Sequence, residues 1–260
     1  MPNTRTNRKF FLDTKGGEPV RLIALSDGVF ATVLTILVLD LKLDLGANPV
    51  TADISHSIVA LWPHLFSYIL TFLVTGQYWM GHHRAFDHIV HYDRRLLWYN
   101  LMFLLFIGLL PFTTAIFSST GLTLGIFPIL WSFYVLDMVC IGLMLILIWA
   151  YAITHGLVNE ELTPEGVRYV TVRQLVTPLI FLISAGIEYL TPKTYFAQYF
   201  LLTIPGITSL LDRIYVSKSN PAPLSGSKRW SFSTEWLWAA AGLLPVLLLL
   251  ALAIWVAGQP

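Results

Sequence analysis

RLIALSDGVFATVLTILVLDL, residues Arg21 to Leu41, is an apolar run that opens with an arginine, a serine and an aspartate. A helix rises 1.5 Å per residue, so about 20 apolar residues span the roughly 30 Å hydrocarbon layer of a bilayer. The stretch therefore reads as a membrane helix. Ionisable groups at such depth are costly, and they pair or face a protein interior. Asp27 lies about 9 Å along the helix from Arg21 and roughly 120° around it. A pair within this helix is not expected, and each group looks to other helices for partners.

Gly28, Thr32, Thr35, Leu39 and Lys42 recur at spacings of four, three, four and three, which places them on one stripe. Phe30, Val33, Leu34, Leu37 and Leu41 lie off it. The stripe is small and hydroxylated at one end and apolar at Leu39. Small residues let membrane helices pack closely. A narrow pore uses the same materials, with hydroxyls replacing hydration and an apolar ring gating by dewetting. Periodicity alone leaves both roles open.

The rest of the chain supports the membrane reading. Its 260 residues are 56% hydrophobic and 12% charged, against about 25% charged in soluble domains. Six further runs follow, near Ile54–Trp79, Leu96–Phe117, Leu124–Ala152, Val172–Leu190, Tyr195–Ile214 and Trp236–Ala257. The polar, basic segment Met1–Pro19 has no apolar core and is not a cleavable signal. With a cytoplasmic N-terminus, the basic loop residues fall on that side (Arg84, Arg94, Arg95, Arg168, Arg173 and Arg213 among them), and Lys42 and Lys193 fall on the other. Ser217–Ser227 reads as a flexible linker. The expected organisation is a cytoplasmic segment 1–20, a transmembrane unit 21–216, a linker 217–233 and an additional hydrophobic helix 234–260.

The segment Tyr78–Asn100 holds His82, His83, His88 and His91. The spacing is not HExxH or HxxxH, so a catalytic metal is not expected. The histidines read instead as helix-end anchors and interhelical hydrogen-bonding groups. Asp137, a lone acid in an apolar run, suits an ion or proton site and a structural partner about equally. Cys140 reads as a small buried hydrophobe. No phosphate loop, nucleophile elbow or TVGYG-type filter occurs, so a pore here would not use a carbonyl filter.

Arg21 followed by Leu25-Ser26-Asp27-Gly28-Val29-Phe30-Ala31 resembles the RxxxFSD signature of the transmembrane protein 175 potassium channel family. Trp79, His82, His83, Arg84 and Phe86 resemble its WxxHHR-F segment. Asp93-Arg94-Arg95-Leu96-Leu97, Asn100 and Leu110-Pro111-Phe112 resemble the stretch through its third helix. The resemblance covers about Arg21 to Thr114; beyond it only the span pattern agrees. It implies an all-α integral membrane protein with a six-helix channel repeat, here followed by a seventh hydrophobic run, assembled as a homotetramer with the first helix lining the pore. It implies passive potassium conduction, with proton permeation in some members, and no cofactor. The family's first apolar constriction falls on Thr32, its hydroxyl layer on Thr35, and further pore-facing positions on Ile36 or Leu39. Arg21, Ser26, Asp27, Trp79, His82, His83 and Asn100 are implied to be structural, tying the first helix to its neighbours. Two departures stand out: Leu25 replaces the family's Phe, and Thr32 stands where isoleucine or leucine is usual.

The expectation is a potassium-permeable, multi-pass channel in a plasma membrane, with itself, the bilayer and potassium ions as partners and no nucleic-acid role. The alternatives are a proton-coupled transporter using Asp27 or Asp137 and a metal-dependent intramembrane enzyme using the histidine-rich segment.

Overall fold

The computed structural model describes residues 18–41, 61–120, 127–191 and 196–218. Within them the chain is helical throughout: α1 (Val20–Ile36) with a 3-10 turn (Leu37–Asp40), α2 (Trp62–His88), α3 (Arg94–Thr120), α4 (Phe127–Thr154), α5 (Pro164–Leu190), α6 (Phe196–Phe200) and α7 (Thr203–Lys218). Val20–Asp40, Arg94–Ser118, Pro128–Thr154 and Pro164–Leu190 are long and apolar enough to cross a membrane. The protein is thus an integral membrane protein, mostly helical among its described residues. α2 is equally long but more polar, because its last turns carry His82, His83, Arg84, Asp87 and His88.

Several boundaries differ from the hydropathy pattern for physical reasons. α2 continues past Trp79 to His88, so most of the histidine-rich segment is helix and not loop. α5 starts at Pro164, eight residues before the apolar run expected at Val172. Thr163 caps it by accepting from the Gly166 N–H at 3.2 Å, and proline suits the first helical position. The sixth apolar run is split between α6 and α7. The seventh run, most of the linker, residues 1–17, Lys42 and Lys193 lie outside the described residues.

The core forms where α2, α3, α4 and α5 meet. Phe103, Ile107, Leu110, Trp131, Tyr134, Met138, Ile141 and Phe181 are among its fully buried side chains. Polar contacts thread it. Thr71 meets the hydroxyls of Thr114 at 3.1 Å and Tyr134 at 3.0 Å, and Tyr78 donates to the Met138 carbonyl at 2.6 Å. Asp137 is buried and accepts from Thr113 at 2.9 Å. α4 and α5 approach closely at Gly142, where an added Cβ would lie 2.8 Å from the Pro178 ring.

The turns at one end are stitched together. Val90 and His91 donate to the Leu157 carbonyl at 2.9 and 3.2 Å, and Asn159 donates to the His88 carbonyl at 2.9 Å. Gly156, at φ +62°, ends α4 in the left-handed conformation that glycine adopts without a Cβ penalty. Asp93 caps α3 through the Leu96 N–H at 2.8 Å and accepts from the Tyr151 hydroxyl at 2.5 Å. The turns holding Arg94 and Arg95 and leading to Arg168 therefore share one end of the bundle, as the charge pattern requires.

Candidate conduction face and its polar anchors

α1 has two unlike faces. Leu22, Ser26, Phe30 and Val33 are buried, and Leu37 continues them into the 3-10 turn. Gly28, Ala31, Thr32, Thr35, Ile36 and Leu39 are exposed. The most hydrophobic stretch of α1 is 28% buried, against 44–56% for the other three candidate spans. α1 is therefore the least embedded of the four within a single chain.

The exposed hydroxyls have a defined polarity. Thr32 donates to the Gly28 carbonyl at 2.8 Å, and Thr35 donates to the carbonyls of Ala31 and Thr32 at 3.1 and 2.8 Å. A threonine hydroxyl has one proton and two lone pairs. With the proton directed at the helix's own carbonyls, each side chain presents an acceptor oxygen outward. That surface suits a cation and does not suit an anion.

The 3-10 turn then reshapes the stripe. Side chains three apart eclipse in a 3-10 helix. Leu39 is brought over Ile36, and both are exposed, at 66% and 42%. By the same geometry Asp40 follows Leu37 toward the bundle. It accepts from Ser118 of α3 at 2.9 Å and faces His64 of α2 at 3.7 Å. Sequence reasoning did not single out Asp40. It stands near the end of the apolar run, with Lys42 and Asp44 close behind it.

The other end of α1 is tied by the signature residues. Ser26 donates to the Leu22 carbonyl at 2.9 Å and accepts from the Asn100 amide at 3.0 Å. The Asn100 carbonyl oxygen meets His82 Nε2 at 3.0 Å. This relay from α1 through α3 to α2 is buried, and its imidazole is stacked against Phe86 and Phe103. The Asn100 amide donates to Ser26, so its oxygen faces His82 and Nε2 carries the proton. Trp79 donates to Asp27 at 2.9 Å and stacks on His83, whose Nε2 lies 3.8 Å from Asp87. The structure thus brings together Ser26, Asp27, Trp79, His82, His83 and Asn100. Arg21 is exposed and stands apart from them. His82 and His83 face different neighbours, and among the described residues no group of three His, Cys, Asp or Glu side chains converges as a metal site.

An apolar helix bundle with four helices long and apolar enough to cross a bilayer defines a multi-pass membrane protein. Residues 21–111 match the sequence model of the family described as "Endosomal/lysosomal potassium channel TMEM175". The resemblance read from the motifs is thereby borne out. A Streptomyces collinus protein named as a potassium channel is 28% identical over 188 residues, covering 72% of this chain and 90% of that one. A Rattus norvegicus protein named as an endosomal/lysosomal proton channel is 35% identical over 97 residues, covering 35% of this chain and 19% of that one. The crystal structure of a "lysosomal potassium-selective channel TMEM175 homolog" from Chamaesiphon minutus superposes with a TM-score of 0.58 at 23% identity, covering 77% of this chain and 97% of that one. This last likeness establishes the fold. Both named relatives are channels and not enzymes.

Proposed function

We propose that this protein is a potassium-permeable channel whose ions pass along the exposed face of α1. The observation that carries the proposal is the pairing of two unlike surfaces on one helix. One is anchored to α2 and α3 through Ser26, Asp27 and Asp40. The other leaves Thr32, Thr35, Ile36 and Leu39 exposed among the described residues. The Streptomyces collinus relative, named as a potassium channel, supports the choice of ion.

A single chain does not enclose a pore with one helix, so the conducting form is an assembly of copies. A homotetramer with α1 at its axis is the assembly that the family resemblance implies. In it Thr35 supplies a ring of hydroxyl oxygens, and Ile36 and Leu39 supply the apolar constriction. Thr32 adds a second hydroxyl ring at a position where the family places a methyl-bearing one. Selectivity then comes from side chains rather than a carbonyl filter, and no cofactor is required. Residues 21–216 form the channel unit, with 1–20, the linker 217–233 and the hydrophobic helix 234–260 as appendages. The basic end, with Arg84, Arg94, Arg95 and Arg168, faces the cytoplasm of a plasma membrane.

Proton passage is the second reading, favoured by the relative named as a proton channel. One experiment separates the two. Purified protein in liposomes is given potassium, sodium or proton gradients, with Thr35→Ala and Leu39→Ala variants alongside. Potassium flux that exceeds sodium flux and shifts with either variant supports the proposal. Proton flux without potassium flux favours the second reading. No flux from folded protein refutes both.

A further inference from the structure

A small cleft lies where α2, α4, α5 and α7 meet, on the side of α2 away from the His82 relay. Its volume is about 20 Å³, room for one water-sized body. Gln77 and Arg84 of α2, Arg173, Gln174 and Thr177 of α5 and Thr208 of α7 are among its walls. No carboxylate stands among the described residues that line it.

The charges around the cleft do not balance. Arg173 pairs with Asp212 and also donates to the Thr208 carbonyl at 3.2 Å. Asp212 is further held by the Tyr169 hydroxyl at 2.5 Å. Arg84 is half-buried, with no acceptor within hydrogen-bond or ion-pair distance among the described residues. Asp87, one turn on, is exposed and directed at His83. Arg173 therefore has a carboxylate in direct contact, whereas Arg84 is offset only at longer range, by Asp87. Gln174 is 7% exposed, and neither end of its amide has a hydrogen-bond partner. Burying a charge or an amide without a partner is costly.

Water in the cleft would satisfy the amide and leave the charge uncompensated. We infer that the cleft binds a small inorganic anion of halide size between Arg84 and the Gln174 amide. Arg173 adds its field from the opposite wall. The site is separate from the α1 face and does not depend on what that face conducts. It joins the cytoplasmic halves of α2 and α5, which otherwise meet there through two like charges.

The test is thermal unfolding of the purified full-length protein in detergent, titrated from potassium gluconate to potassium chloride or bromide at constant potassium. Gluconate is too large for the cleft. A ligand bound only by the folded state raises the transition temperature with the logarithm of its concentration once that exceeds Kd. The expected result is a rise with the logarithm of chloride or bromide concentration that is lost in Arg84→Gln. It should also weaken several-fold in Gln174→Leu, which keeps both arginines and so reports the site even where Arg84→Gln does not fold. Bromide-soaked crystals of the unmodified protein should show an anomalous peak beside the Arg84 guanidinium. Equal transition temperatures in gluconate and chloride, or a rise that persists in both variants, would overturn the inference. So would a rise driven by phosphatidylglycerol instead of chloride, which would assign the cleft to a lipid headgroup.

Discussion

Thr32 and Thr35 direct their hydroxyl protons at the helix that carries them, so what they offer outward is oxygen. Thr35→Val keeps the shape and removes that oxygen. Its expected effect is a lower potassium-over-sodium preference, read as reversal potential in bilayers, with folding unchanged. Asn100 is a different kind of residue. Its amide joins Ser26 to His82 in the interior, so Asn100→Leu leaves the buried His82 Nε2–H unpaired, while Ser26 keeps its bond to the Leu22 carbonyl. The expected loss is about 1–3 kcal/mol for that one orphaned group, measured as unfolding in detergent. The polar residues of this relay were legible because each is out of place in an apolar run. Asp40 was not, since an acid near the end of a run reads as an ordinary terminal charge. Only the 3-10 turn aims it at Ser118. Gln77 and Gln174 were silent because an uncharged amide hardly perturbs hydropathy.

At the scale of the elements, apolar runs located the helices and missed where polar turns extend them. α2 runs nine residues past Trp79, and the Thr163 cap starts α5 well before its apolar stretch. The Thr-Pro-Glu-Gly sequence at 163–166 carried that second signal, and hydropathy does not weigh it. Contact between α4 and α5 depends on Gly142. In Gly142→Ala the new methyl meets the Pro178 ring, which cannot rotate away. Overpacking of this kind costs about 1–3 kcal/mol, so a lower unfolding temperature is expected. The turn before α3 has a pH signature. Burial opposes ionisation of Asp93, but the Leu96 and Arg95 N–H groups and the Tyr151 hydroxyl outweigh it and hold its carboxyl below the usual aspartate value. The stability it contributes is fully present above the unfolded-state value of about 3.9. It is lost as pH falls through the lower folded-state value. Unfolding curves of the unmodified protein and Asp93→Asn should therefore differ at neutral pH and converge in acid.

For the molecule as a whole, membrane class and channel-family resemblance were readable because both rest on local patterns: apolar length, the charge asymmetry of loops, and the signature residues of Arg21–Thr114. The use of α1 was not readable, because a small hydroxylated stripe serves packing and conduction alike. Among the described residues that stripe is exposed, while the opposite side of the helix is held by three interhelical hydrogen bonds. What it meets in the assembled protein decides the function. The most direct measurement is cysteine scanning of α1 in a Cys140→Ala background, with a water-soluble thiol reagent applied during potassium flux into liposomes. Modification at Thr32, Thr35, Ile36 and Leu39 should block flux, while cysteines at the buried positions Phe30 and Val33 should not react. Unmodified flux with those four positions labelled, or their failure to react at all because they face lipid, would contradict a pathway along α1.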